Sequence, residues 1–333
     1  MNTKNIDILN IGLILLSGIL AFQFPLQLFI VVFAILGPLH YLTEINWLDK
    51  KDYFTNRKNR SWFWIGTIAS ILIVFPKIYF YWIGTDDSSL SRGVTMINKW
   101  SNAFIFLSFL LSIGFVFFKT KLQWFVLVFA GIVGALLLNG VELYVTIVGL
   151  LIPTVIHVYL FTLLFMLFGA RKSNSKWGYI SVGVALLVPL AFAYVDLTQV
   201  TYFFSEGFRN VYIDNNLHTT PTLIAKFLGL SDGSHFGFDG ALEIRMMMFL
   251  SFIYTYHYLN WFSKTTLISW HKNLTIRSSA TILIIWITML VLFYTNFRLG
   301  FIVALFFSFL HVILEFPLNL VSIKGVFAKN KKE

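Results

Sequence analysis

The chain reads as an all-α protein: a polytopic membrane bundle of about ten transmembrane helices forming one integral membrane domain over 1–333, with both termini cytoplasmic. Three observations lead there. Of 333 residues, 58% are hydrophobic and only 12% charged, about half the charge density of soluble domains. The apolar residues, with a mean hydropathy of +0.78 overall, gather in runs long enough to cross a bilayer core. The Lys and Arg collect in the short breaks between those runs, the distribution that orients a membrane protein.

The runs fall near 6–24, 25–48, 61–83, 101–118, 122–139, 141–169, 177–197, 241–263, 278–297 and 299–322. Their punctuation is that of short turns: "FQFP" ends the first run, Asn139-Gly140 the fifth, and "RLG" precedes the tenth. The first two runs could instead form one broken hairpin. The first lacks a basic leader and a small-residue cleavage site, so it is expected to be retained as a helix. Glu142 and Glu243 open the sixth and eighth runs, where the helix dipole favours a negative charge.

Charge orients the set. The stretches 49–60, "KTK" (119–121), "RKSNSK" (171–176), 263–277 and the tail from 324 are all basic. With ten spans they share one side, which the positive-inside rule makes the cytoplasm. The breaks 84–90 and 198–240 then lie outside. The second of these is expected to be a loop, with "PTLIAKFLGL" as a short interfacial helix begun by Pro221. The expected location is a cytoplasmic membrane of bacterial type, with lipid as neighbour. The net charge of +10 is therefore read as topology, and no nucleic-acid partner is expected.

Composition also excludes chemistry. With no Cys, disulfides, thiolate metal sites, iron–sulfur clusters and thiol nucleophiles are ruled out. Neither GxSxG, a P-loop nor GxGxxG occurs, and no helix carries the HxxxH or HxxHH spacing of membrane desaturases.

What remains is a histidine pattern. His218, His235 and His271 lie between runs and read as solvated side chains. His40, His157, His257 and His311 lie inside the second, sixth, eighth and tenth runs. A single intramembrane histidine is explained well by a hydrogen bond to a neighbouring helix. All four runs, however, point the same way, and at 1.5 Å rise per residue the four rings fall within about 7 Å of one another in depth. Polar groups in a bilayer face the bundle interior and mark function, and imidazole suits iron, zinc and copper. The four are the expected metal ligands.

Glu44 and Glu315 each follow a histidine by four residues, on the same helix face. They are candidate catalytic carboxylates, acting either as ligands or as acceptors that steady a ligand's ring. Four histidines with outer carboxylates suit one non-haem ion with open positions, the preferred reading; four histidines with two bridging carboxylates suit a two-metal centre. Tyr41, Tyr254, Tyr258, Asn260 and Trp261 are placed to line a substrate site, although packing explains most tyrosines in membrane proteins.

These residues carry a resemblance. Gly37, His40 and Glu44 in "GPLHYLTE" resemble the Gly-x-Pro-His-Gly-x-x-Asp helix of the Brp/Blh-type membrane β-carotene dioxygenases. Ser308, His311 and Glu315 in "SFLHVILE" are similar to that family's later Ser-x-x-His-x-x-x-acid pattern, and "FIYTYHYLNW" to its aromatic histidine helix. This chain departs in having Tyr41 after the first histidine, Glu where the family has Asp, and one histidine per helix. The resemblance covers about a tenth of the chain. It implies a membrane oxygenase holding Fe(II) on histidines and using O2 to cleave a carotenoid-like or other long apolar substrate that enters from the bilayer, with retinal as the family's product. Three alternatives stand beside it: a two-metal membrane hydroxylase of lipids, a haem-binding protein, and a proton-coupled transporter.

Overall fold

In a bilayer core no water can satisfy backbone N–H and C=O groups, so each apolar run must close its own hydrogen bonds as a helix. A computed structural model of the chain describes residues 3–51 and 60–327 and shows this outcome. The helices are α1 (Thr3–Gln23), α2 (Pro25–Lys51), α3 (Ser61–Trp82), α4 (Ser89–Lys99), α5 (Ser101–Phe117) and α6 (Lys121–Leu138). They continue as α7 (Glu142–Ser173), α8 (Lys176–Tyr194), α9 (Glu206–Asp214), α10 (Thr219–Phe227), α11 (Ala241–Ser263), α12 (Ile276–Thr295) and α13 (Phe297–Phe327). No strand occurs among the described residues.

All ten expected runs are helical, but not all have the composition of a span. Eight helices are long and apolar enough to cross a membrane, or nine when α4 and α5, bent by 45° at their junction, count as one. The helix outside that set is α11, which carries Glu243 and Arg245 and then a polar, aromatic series to Asn260. Leu250–Tyr258 of α11 is buried without a break, as befits a helix enclosed on every face. Of the basic stretch 49–60, residues 52–59 lie outside the described residues, as do 328–333 of the tail; Arg60 pairs with Asp49.

Side chains mark the helix starts. At α6 Thr120 Oγ1 accepts from Gln123 N at 3.3 Å while Gln123 Oε1 accepts from Thr120 N at 3.1 Å, and Thr275 with Ser278 repeats this capping box at α12. Ser88 and Ser175 cap α4 and α8. The middle of α7, Val145–Phe161, takes the wider π register around Pro153, a form enriched at functional sites.

The chain divides into two units, residues 1–40 with 154–272 and residues 41–153 with 273–333. In the first unit α1 packs on α8 and α11, α8 on Thr162–Ser173 of α7, and α10 on α11. The approach of α8 to α7 needs Gly178, since a Cβ there would come within 2.7 Å of Ala170 Cβ and 3.1 Å of its backbone. In the second unit α13 packs on α3, α5 and α12, and α5 on α6.

The break 198–240 is more structured than expected. The helix expected around Pro221 is α10, and α9 precedes it. An aromatic cluster ties this segment to α2: Tyr212 lies 5.6 Å from Phe236 and 6.4 Å from Phe29 between ring centres. Arg209 sits over the Phe238 ring at 5.1 Å.

A polar cluster joins α1 to the C-terminal end of α11. Tyr256 Oη lies 3.1 Å from Asn10 Oδ1 and 3.4 Å from Asn260 Oδ1, and Ser263 Oγ donates to Asn260 O at 2.8 Å. Beside it, Ser175 Oγ donates to Asp7. Lys264 is half-buried, and burial holds its ammonium down to about 8, with Asp7 pulling the other way. Between that value and the ordinary 10.5, the folded chain binds fewer protons at Lys264 than the unfolded chain, so stability rises with pH across this window. Thermal melting in detergent should therefore show the wild type gaining stability from pH 8 to 10 relative to Lys264→Met. Parallel curves for the two proteins would refute this.

Candidate metal centre

Within the first unit, α2 and α11 bring His40 and His257 together. Their Nε2 atoms are 3.0 Å apart, and the residues are 1% and 8% exposed. The proton on His257 follows from its other partner. His257 Nδ1 lies 2.8 Å from Thr162 Oγ1 on α7, and that hydroxyl donates to Val158 O at 2.8 Å. A hydroxyl has one hydrogen; spent on the carbonyl, it leaves Thr162 an acceptor, so His257 Nδ1 carries the ring proton. His257 Nε2 then presents a bare lone pair toward His40.

In the interior, that lone pair meets either a hydrogen on His40 Nε2 or a cation. The spacing suits both: 3.0 Å is an ordinary hydrogen-bond distance for an N–H donor, and two nitrogens bound to one ion at about 2.1 Å and at right angles lie about as far apart.

His157, buried in the π-register part of α7, has its ring centre 5.1 Å from that of His257. Around the pair the walls are aromatic. Tyr258 and Trp261 lie 5.1 and 5.6 Å from His40 between ring centres. Tyr254 continues the series, 6.1 Å from Tyr258 and 5.3 Å from Phe29. Three of the expected lining residues, Tyr254, Tyr258 and Trp261, thus belong to the surroundings of His40. Asn260 is placed elsewhere, in the Tyr256–Asn10 cluster.

Within the second unit, His311 of α13 stacks on Tyr41 of α2, with ring centres 4.5 Å apart and planes at 24°. Its Nδ1 lies 3.3 Å from Phe307 O, one turn earlier. A carbonyl only accepts, so His311 also carries its proton on Nδ1, and its Nε2 is the unprotonated ring nitrogen. Glu44 and Glu315 are buried, 3% and 5% exposed, and their carboxylates interact electrostatically.

Among the described residues of the first unit, His40 and His257 thus form a buried pair of ring nitrogens that could hold a metal ion. Glu142 and Glu243 stand in the first turns of α7 and α11 as the dipole argument expects. Thr162 was not visible in the sequence as a partner of His257, because nothing in the spacing of α7 and α11 says which hydroxyl meets which ring.

No family model, curated protein or solved structure matches this chain. The chemistry therefore rests on the residues themselves.

The tautomer assignment can be tested directly. With 15N-labelled histidine in lipid, His257 and His311 should show protonated Nδ1 and non-protonated Nε2. Thr162→Val should release the His257 pattern and Thr162→Ser should keep it. An Nε2-protonated His257 in the wild type would overturn the assignment.

Proposed function

We propose that this chain is a membrane oxygenase in which His40 and His257 hold a metal ion, iron by preference, and which acts on a long apolar substrate of carotenoid-like chemistry. The observation that carries the reading is the pair of buried ring nitrogens 3.0 Å apart, one of them stripped of its proton by Thr162. Imidazole is a ligand of borderline softness that suits Fe(II). Neutral imidazoles leave coordination positions free, and iron bound there would supply the activation of O2.

The protein's own part is positional. Thr162 sets the ring orientation of His257 by accepting from Nδ1, as supporting groups do for metal-bound imidazoles. Tyr254, Tyr258 and Trp261 exclude water from the neighbourhood of His40 and offer flat apolar surface to a hydrocarbon. With substrate arriving from lipid, recognition needs no charged group. Glu44 and Glu315 lie one turn beyond His40 and His311 on their helices.

Metal analysis of protein purified without oxygen tests this. Wild type should retain a transition metal that His257→Ala loses, and Thr162→Val should weaken its retention by about 10- to 100-fold. Iron-loaded protein given O2 and β-carotene in mixed micelles should yield shortened carbonyl products. Wild type free of transition metal, or a His257→Ala variant that keeps it, would remove the reading.

The same reading places the basic breaks and both termini in the cytoplasm. Because the chain has no Cys, single cysteines report topology cleanly. In intact cells a membrane-impermeant maleimide should label Asp87→Cys and spare Ser173→Cys until the cells are opened. Labelling of Ser173→Cys in intact cells would reverse the orientation.

A further inference from the structure

We propose that α1 and α8, with Arg245 of α11 at their C-terminal ends, form a binding site for one anionic phospholipid, an acyl chain lying in the groove between the two helices and the phosphate on the guanidinium. All of these residues belong to the first unit. The groove has a volume of about 270 Å3 and every residue lining it is apolar. Leu15, Ile19 and Phe22 form one wall and Val188, Phe192 and Val195 the other. Both sets are spaced i, i+4 and i+7, so each is a single helix face. Seven residues at 1.5 Å rise make the groove about 10 Å long, and Leu15 and Ile19 are exposed along its open side.

The groove has one polar end. The helices run parallel, since a Cβ on Gly178 would meet Asp7 and one on Gly18 would meet Val188; Phe22 and Val195 therefore close the same end. There Val195 O accepts from Arg245 Nη2 at 3.1 Å. That bond fixes the guanidinium at the groove and uses one of its five N–H donors. Arg245 Nε is buried without a hydrogen-bond partner. The charge of the adjacent Asp196 bears on Arg245, but Asp196 Oδ1 is turned to Thr198 N, which donates to it at 2.9 Å. Beside the other wall, Tyr202 packs edge-on to Phe22 with ring centres 6.4 Å apart, and its hydroxyl is likewise buried without a partner.

Buried donors are hydrogen-bonded as a rule, and exceptions require a reason. A phosphate supplies acceptors of the kind that a guanidinium fork takes. Its tetrahedral oxygens also suit donors that arrive from both walls better than the flat edge of a carboxylate does, which favours a phospholipid over a fatty acid. The competing account is an arginine that only snorkels toward water, and it predicts a groove indifferent to the lipid head.

The test uses the full chain, delipidated in detergent and titrated with one lipid at a time under native mass spectrometry. Phosphatidylglycerol and diacylglycerol with the same acyl chains separate head from tail. Wild type should bind one phosphatidylglycerol about tenfold more tightly than diacylglycerol, as expected for hydrogen bonds to a charged group. Arg245→Gln should bring phosphatidylglycerol to the diacylglycerol level and leave diacylglycerol unchanged, while Arg245→Lys, which keeps the charge, should retain part of the preference. Tyr202→Phe should weaken phosphatidylglycerol alone. Ile19→Trp, which adds bulk at an exposed groove position, should weaken both lipids. A wild type that binds the two lipids equally or prefers oleate, an Arg245→Gln protein with its preference intact, or an Ile19→Trp protein that binds both as wild type does would overturn the site.

Discussion

A ring nitrogen with a free lone pair cannot be left alone in an apolar interior, and the first unit is organised around that constraint. His257 has its proton fixed on Nδ1 by Thr162, whose own hydrogen goes to Val158 O. Its Nε2 must therefore be met from the other side, and His40 Nε2 stands there at 3.0 Å. Three helices are committed to the arrangement: α11 for the ring, α7 for the acceptor and α2 for the facing ring. Moving any of them by an ångström leaves a buried polar atom unsatisfied, a loss comparable to that of a core side chain.

This explains why α11 is the least lipid-like of the long helices. A helix facing hydrocarbon would be apolar around its rim. One carrying Tyr254, Tyr256, His257, Tyr258 and Asn260 has polar atoms on several faces, and each needs a partner within the protein. The structure separates them by direction. His257 turns to His40 and Thr162, whereas Tyr256 and Asn260 turn to Asn10 of α1. One element thus supports the candidate centre and fastens the N-terminal helix with different sides of the same turns.

The fold was legible in outline because a bilayer leaves the backbone little choice. Run lengths and punctuation placed all ten long helices to within a few residues, and Pro221 marked α10. The short helices α4 and α9 were missed, since amphipathic segments in polar breaks lack the long apolar signal. At the site, the pattern of intramembrane histidines pointed to His40 and His257, whose Nε2 atoms the structure places 3.0 Å apart in a buried setting. Rotation about a helix axis is what the sequence withheld. Adjacent residues His257 and Tyr256 look equally polar in a linear string, and the π register of Val145–Phe161 changes the angular step on which any face assignment for His157 depends.

The i+4 carboxylates show how far spacing alone can be trusted. Spacing says that Glu315 shares a face with His311, and by extension that Asn319 does too. It cannot say whether a face meets lipid, a neighbouring side chain or another carboxylate. The structure adds what spacing lacks: Glu44 and Glu315 are both buried, and their charges bear on each other. Two ionised carboxylates repel strongly in a low-dielectric interior, so the i+4 spacing of Glu315 marks an electrostatic constraint as well as a helix face.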